Sequence, residues 1–544
     1  MSNVFSAELQ KKFLPPATDS VSLSVLFLQA GEKLMTSRCA TIAFQGVEGV
    51  LVDCQAQFVS GQSAFCVVGL PDKAVAESRE RVRAALHAIG LALPGKRLVV
   101  NLSPADLPKE GTHYDLPIAL AVLSALGVIP PDFLGRYAVV GELALDGSIL
   151  AIAGALPAAM AALANDLGLI CPKASGSEAA WAGSEVDILA PQSLIQLINH
   201  VKGTQVLTRP KPIVQSDDVA LPDLADIKGQ EAAKRALEVA AAGAHHLMMV
   251  GPPGAGKSML AQRLPSILPP LEAREMLDIS IIASLGGELK SGQLSRRRPF
   301  RSPHHSASMP ALVGGGLKAK PGEMALAHHG VLFLDELPEF QSRVLEALRQ
   351  PMETGETQIA RANYHITYPA RFQLISALNP CKCGMHGAQG HSCRRGPSCA
   401  ADYQGRISGP LLDRMDIQIE LAAVKASDLT LPPPKESSAD VAARVAKARH
   451  IQRQRYVDLG LPTLRTNAEA DGHILEKIAL LDDKGTALIR DAAEAMNLSA
   501  RGFHRVLRVA RTIADLDNRE QVARLHIAEA LSYRQKPPSM RTAA

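Results

Sequence analysis

The 544-residue sequence contains no apolar run near the roughly 18 residues that a membrane-crossing helix needs, so it predicts no membrane partner. A secretion signal is also missing. VSLSVLFLQAG (21–31) is apolar, but no basic segment and small-residue cleavage site flank it in the right order. Strong charge of either sign is absent. A net charge of +4 neither requires nor excludes a nucleic-acid partner, so any such contact must come from local clusters. Cysteine is sparse, eight in the chain, which excludes a disulfide scaffold. Four of the eight nevertheless crowd into residues 381–399, which points to metal rather than oxidation. What remains reads as a soluble, cytoplasmic chain whose 47% hydrophobic content supports real cores, long enough for roughly two to four domains.

GPPGAGKS (251–258) stands between an apolar run, LMMV (247–250), and a helical pattern, MLAQRL (259–264). Strand, glycine-rich loop and helix form the context in which this pattern binds phosphate. Gly251, Gly254 and Gly256 let the loop, which includes Pro252, Pro253 and Ala255, turn its N–H groups toward phosphate oxygens. Lys257 can reach the β- and γ-phosphates, and the Ser258 hydroxyl can bind Mg2+. About eighty residues later, HHGVLFLDELPEF (328–340) runs four apolar residues into Asp335 and Glu336. A buried strand ending in two acids places Asp335 for the Mg2+ shell and Glu336 for the attacking water. The sequence therefore predicts hydrolysis of a nucleoside triphosphate, with ATP expected.

Along the chain, residues 1–34 lack periodicity and read as a loosely ordered extension or the product of an upstream start codon. Residues 35–207 read as a first α/β domain. Strands are expected at CATIAF, GVLVDCQAQF, AFCVVGL, RLVVNL and YAVVGEL, and helices at 72–89, 116–126 and 156–167. A proline-bearing polar linker (208–223) leads to an α/β core (224–428), and a second linker (429–440) leads to a helical region (441–534) with a frayed tail (535–544). Within the core, residues 357–376 alternate as a hairpin around Ala362 and Asn363, placing Arg361, Tyr364 and His365 near its tip. A cation and an aromatic there suit a nucleic-acid strand; a solvated hairpin is the plainer alternative. The basic run RRRPFRSPHH (296–305) has the same two readings. Cys381, Cys383, Cys393 and Cys399 supply the four thiolates of a tetrahedral Zn2+ site, with free thiols as the alternative. The C-x5-C spacing of the second pair is irregular, so His386 or His391 could stand in for Cys399.

The first domain resembles the Lon-protease-like (ribosomal S5 domain 2-like) domain of Mg-chelatase-like AAA+ ATPases, the YifB/ComM group. VGLPDKAVAESRERVRAAL, VNLSPADLPKEGTHYDLPIALAVL and GELALDGSILAIAGALPAAMAA carry the likeness. The proteolytic dyad of Lon is not matched: His113 stands at the serine position after Pro108–Gly111, and Pro157 stands at the lysine position after Gly154–Leu156. A scaffold or interaction module is implied. The core resembles the AAA+ P-loop clade of Mg-chelatase and the minichromosome-maintenance helicases. That resemblance implies adenine contacts at Gly229 and Gln230, sensor 1 at Asn379 in SALNP, and an arginine finger at Arg414 in GPLLDRMDI. Arg406 is the runner-up, and a surface ion pair of Arg414 with Asp413 or Asp416 is the plainer alternative. It further implies a pore-facing insert carrying Lys318 and Lys320, and a pre-sensor-1 hairpin carrying Arg361, Tyr364 and His365. LSARGFHRVLRVARTIADL resembles the Mg-chelatase C-terminal lid, with Arg501 at sensor 2. The family implies a homo-hexameric ring that moves forked or branched DNA during natural transformation and recombination. A metal-insertion or protein-remodelling ATPase is the rival, and a protease is disfavoured by His113 and Pro157.

Overall fold

The computed structural model describes residues 36–214, 220–289, 292–316, 319–361, 364–384, 386, 393, 398–424, 427, 432, 434 and 436–534. The 1–34 extension, the 535–544 tail, Lys318, the hairpin tip at Ala362 and Asn363, and His391 lie outside the described residues. So do the side chains of Arg361 and Tyr364.

The N-terminal unit is built on β1 (Ser37–Gln45), β2 (Glu48–Val59), β3 (Ala64–Val68), α1 (Lys73–Ala88), β4 (Arg97–Ser103), α2 (Asp115–Ala125), β5 (Tyr137–Val139), α3 (Ala155–Ala164), β6 (Gly168–Ile170) and β7 (Ile188–Leu189). They form a seven-stranded mixed sheet in the order β3-β4-β2-β1-β5-β6-β7. Alternation sets the register: β2 buries Val52, Cys54 and Ala56 on one face, and the β1–β2 ladder pairs Ser37 with Ala56. Asp72 caps α1 by accepting from the Val75 N–H at 2.7 Å. The expected helices fall within a few residues of their observed limits. YAVVGEL instead splits, with 137–139 in the sheet and Glu142–Leu143 paired to Ile149–Leu150 in a separate ribbon.

The core comprises α4 (Glu231–Gly243), β8 (Leu247–Val250), α5 (Lys257–Ile267), α6 (Ala273–Gly286), β9 (Phe300–Arg301), β10 (Val331–Leu334), α7 (Arg349–Thr354), β11 (Glu356–Arg361), β12 (Tyr364–Pro369), β13 (Gln373–Leu378) and β14 (Ile417–Glu420). Five strands form a wholly parallel sheet, β9-β10-β13-β8-β14. Its central strands are buried throughout and, apart from Gln373 and Ser376 of β13, apolar, as burial on both faces favours. In open α/β sheets of this kind, ligands bind beyond the carboxyl ends of the strands. β11 and β12 form the expected hairpin, with Arg361 opposite Tyr364 in register.

The C-terminal unit contains α8 (Ser438–Asp458), α9 (Asp483–Ala495), α10 (Ala500–Leu516) and α11 (Arg524–Ser532). Ser499 caps α10 by accepting from the Gly502 N–H at 3.1 Å. Val445 and Ala448 of α8 and Val509 and Ile513 of α10 share one hydrophobic cluster with Leu237 and Ala240 of α4. The lid is thus packed onto the core rather than tethered beside it. The 208–223 segment is not featureless either: Ile213–Val214 pairs in parallel with Gln293–Leu294 of the core. A buried polar contact joins the N-terminal unit to α6. Ser284 Oγ donates to Glu178 at 2.5 Å and accepts from the Gly154 N–H at 3.0 Å, while Glu178 also accepts from the Leu156 N–H at 2.9 Å.

Candidate functional site

The loop between β8 and α5 turns at Gly254 (φ 78°) and Gly256 (φ 87°), where a residue with a Cβ would be strained. Lys257, the first residue of α5, is buried, and its ammonium donates to the carbonyls of Gly251 (2.6 Å) and Pro252 (2.9 Å) and to Asn379 Oδ1 (3.1 Å). Burial lowers its pKa, with Asp335 and Glu336 acting in the opposite direction. Ser258 Oγ donates to Asp335 Oδ2 at 2.5 Å. A hydroxyl and a carboxylate oxygen side by side are donors suited to Mg2+. Glu336 follows Asp335 in a left-handed conformation (φ 51°), its N–H donating to Asp335 Oδ1 at 2.9 Å, and its half-exposed carboxylate lies 3.7 Å from His305. Gln230 stands just before α4 and donates to the carbonyls of Ala422 (2.9 Å) and Ala255 (3.4 Å), bridging the loop to the end of β14; both it and Gly229 beside it have positive φ. The residues expected at the phosphate site therefore gather at the carboxyl ends of β8, β10 and β13.

Arg414 and Arg501 lie at the other edge. Both line a cavity of about 660 Å3 whose wall includes His246, Gly330, Phe372 and Asp416, the residues immediately preceding β8, β10, β13 and β14. Arg501 is therefore not brought to the phosphate loop of its own chain. Arg414 pairs with Glu353, not with the Asp413 or Asp416 that the sequence offers. Asp413 instead lies 3.8 Å from Arg534. Asp416 is buried, accepts from the His246 N–H at 3.2 Å, and lies 3.5 Å from His245 Nδ1 and 3.4 Å from Arg505 Nε. Burial alone would raise its pKa, but His245, His246 and Arg505 outweigh that and hold it well below the usual carboxylate range. Arg505 is one turn beyond Arg501 on α10, so Asp416 ties the Arg414 segment to the helix carrying Arg501. Asp416, Arg505 and Glu353 had no distinguishing signal in the sequence. Arg406 is half exposed and lies 3.5 Å from Glu339, near the turn that carries Asp335 and Glu336.

The four sulfurs of Cys381, Cys383, Cys393 and Cys399 lie within 4.8 Å of one another, with the first two 3.1 Å apart. Zn–S bonds of about 2.3 Å would separate tetrahedral sulfurs by about 3.8 Å, so the donor set fits zinc. Cys399 does join the cluster, so no histidine has to replace it; the His386 N–H donates to Cys381 Sγ instead. Asp278, His328 and His329 also converge. There, His328 Nδ1 accepts from the Arg371 N–H at 3.0 Å, which puts the ring proton on Nε2 and leaves no lone pair for an ion.

Three family descriptions match the chain: Magnesium chelatase, subunit ChlI, over residues 223–429; Subunit ChlI of Mg-chelatase over 54–175; and Magnesium chelatase, subunit ChlI C-terminal, over 435–534. Competence protein ComM of Haemophilus influenzae is 43% identical over 498 residues, covering 90% of this chain and 96% of its own length. The chain belongs to the Mg-chelatase-like ComM/YifB family. Uncharacterized protein YifB of Escherichia coli is 41% identical over 495 residues, covering 91% of this chain and 96% of its own. The Magnesium-chelatase 38 kDa subunit of Rhodobacter capsulatus is more distant, 25% identical over 337 residues, 57% of this chain and 86% of its own.

In this ComM/YifB family member, His113 is a packed residue. Its ring lies against Tyr114 (centroids 4.2 Å apart) and Phe44 (5.4 Å), and Nε2–H donates to the Ile42 carbonyl at 2.9 Å. Pro157 is buried in α3. Lys320 and His365 are brought together, both exposed, in a cleft of about 530 Å3 that faces Gly111, His113 and Glu142 of the N-terminal unit. In the 296–305 run, two of the arginines are committed to internal pairs. Arg298 binds Glu275 (3.0 Å) and the His329 carbonyl (2.7 Å), and Arg301 binds Glu323 (2.6 Å) and Glu288 (2.8 Å). No described helix is long and apolar enough to cross a membrane.

Proposed function

We propose that the protein is an ATP-hydrolysing motor that works as a homo-hexameric ring on single-stranded, forked or branched DNA, promoting branch migration in natural transformation and recombination. The observation that carries this reading is the division of the nucleotide machinery between two edges of the core. Lys257, Ser258, Asp335, Glu336 and Asn379 stand at one edge, and Arg414 and Arg501 at the other. A phosphate held by one subunit therefore meets the arginines of the next, as in a closed ring of head-to-tail contacts. Lys257 and the loop N–H groups bind the β- and γ-phosphates, and Asn379 and Glu336 orient the water for in-line attack. Mg2+, held by Ser258 and Asp335, would neutralise charge on the phosphates. Arg414 and Arg501 stabilise the charge that develops as the phosphoryl group transfers. Cys381, Cys383, Cys393 and Cys399 hold a structural Zn2+.

Lys318, Lys320, Arg361, Tyr364 and His365 are the proposed DNA contacts, and the name of the Haemophilus relative supports a role in competence. Such contacts are to phosphate and base faces, so binding should fall steeply with salt and show little sequence preference. The test is ATP turnover and strand movement on forked DNA at low salt. Stimulated hydrolysis and ATP-dependent migration are expected, and Lys320→Ala with Arg361→Ala should retain basal hydrolysis while losing movement. A wild-type ring with full ATPase activity that neither binds nor moves any DNA would refute the motor and leave a chelatase-like or protein-remodelling ATPase.

A further inference from the structure

Arg414 is 8% exposed, yet its guanidinium is incompletely satisfied. Nη1 donates to the Pro410 carbonyl at 2.8 Å, and Nη2 pairs with the Glu353 carboxylate. Nε is buried without a hydrogen-bond partner among the described residues. Glu353 is the reverse case, with a half-exposed side chain on the wall of the cavity that Arg414 lines. A pair with one partner in solvent is weak. Phosphate oxygens carry more charge and accept parallel N–H donors from a guanidinium fork, so they displace such a partner readily.

The place of Glu353 in the chain gives this exchange a consequence. Glu353 sits in the last turn of α7, which ends at Gly355 (φ 73°) and runs directly into β11 of the hairpin. The hairpin returns through Arg371, which lines the same cavity, into β13 and Asn379. At its base, the Ala370 N–H donates to the Gly355 carbonyl at 2.7 Å. One ion pair therefore links the arginine to the root of the hairpin.

We infer that Glu353 is a positioning residue that holds Arg414 until a neighbouring subunit's nucleotide phosphate takes the guanidinium, and that this exchange frees the base of the β11–β12 hairpin. The inference rests on reading Arg414 as the residue that acts on the neighbour's nucleotide. Phosphate binding at one interface is thereby reported to the hairpin of the subunit that supplies the arginine.

The test uses full-length protein without DNA, so it does not depend on the DNA reading. Steady-state ATP hydrolysis and amide hydrogen exchange over residues 349–369 are measured for wild type, Glu353→Gln, Glu353→Asp, Arg414→Ala and Glu353→Gln/Arg414→Ala. Glu353→Gln should raise kcat by about two- to fivefold, the scale of an exposed ion pair, with KM for ATP unchanged. It should also speed exchange at the hairpin base. Glu353→Asp should restore both to near wild type, and Arg414→Ala should abolish turnover with or without Glu353→Gln. Unchanged kcat and exchange in Glu353→Gln, with Arg414→Ala inactive, would overturn the inference and leave the finger intact. A lower kcat in Glu353→Gln would overturn it too, because removing a restraint does not slow the step it restrains. Full activity in Arg414→Ala would instead remove the finger reading itself, and this inference with it.

Discussion

At the scale of single residues, Lys257 does two things at once. Its ammonium closes the loop on the Gly251 and Pro252 carbonyls, and it connects the loop to Asn379, just past the end of β13 and 122 residues away. Removing it deletes both the cation and the link. Lys257→Ala should abolish nucleotide binding and lower hydrolysis by on the order of 10²-fold or more. Glu336→Gln should bind ATP normally and fail to turn it over, because the amide no longer takes a proton from or orients the water. Arg414→Ala should bind ATP and lose on the order of 10³-fold in kcat, the low end for a finger arginine. Mixing Arg414→Ala with Lys257→Ala protein should recover part of the activity, since hybrid interfaces combine an intact loop with an intact arginine. A phosphate-release assay on the mixtures checks this, and no recovery would show that the two residues serve the same subunit.

At the scale of elements, α6 carries contacts to each of the three units. Near its start Glu272 pairs with Arg453 of α8, and Glu275 binds Arg298 (3.0 Å) and Arg465 (2.7 Å). Asp278 lies 3.5 Å from His329 at the entry to β10, and Ser284 near the helix end meets Glu178 and the Gly154 N–H. Burial raises the Glu178 pKa, with the Ser284 hydroxyl and the α3 N–H groups opposing it. Ser284→Val would leave Glu178 short of a donor and the Gly154 N–H without an acceptor. It should cost about 1–3 kcal/mol at this junction, seen as a lower melting temperature and easier proteolysis between the N-terminal unit and the core. The cysteine loop is a separate element, and the proposed Zn2+ would stabilise it through its four sulfurs. Chelator-washed protein should retain about one Zn2+ per chain by elemental analysis, and Cys381→Ser should lose it. Metal-free protein of equal stability would leave four ordinary thiols.

At the scale of the whole molecule, the C-terminal unit and the core share a hydrophobic cluster, and buried His245, its Nε2 2.8 Å from Thr512 Oγ1 of α10, and partly buried His246 lie where they meet. Burial lowers the His246 pKa to about 4, with Asp416 opposing and Arg505 assisting. In the unfolded chain it titrates near 6.5. Above pH 6.5 neither state is protonated and the group contributes no slope. Between about 6.5 and 4 the unfolded state takes the proton and the native state does not, so stability falls by up to about 3 kcal/mol. Below pH 4 both are protonated and the loss stops growing. His246→Gln should flatten this part of the stability profile, measured as melting temperature against pH. It should also lower stability at pH 7, because the Leu374 N–H loses its Nδ1 acceptor at 3.0 Å. An unchanged slope would place the acid sensitivity elsewhere.

The phosphate loop, the strand β10 that runs into Asp335 and Glu336, and most helices were legible in the sequence because each is written in contiguous residues. Glycines fix the tight turn, and four apolar residues fix a buried strand. The gathering of four cysteines within nineteen residues was legible for the same reason, although only the fold brought Cys399 into the group. Long-range pairing was not legible. Arg414 has two acids within two residues of it in sequence, yet it pairs with Glu353, 61 residues away, because α7 and the Arg414 turn border the same cavity. Local spacing offered partners, but strand order chose among them. Likewise a parallel sheet puts every loop that follows a strand at one edge and every residue that precedes one at the other. That geometry, which no single stretch of sequence contains, separates Arg414 and Arg501 from Lys257.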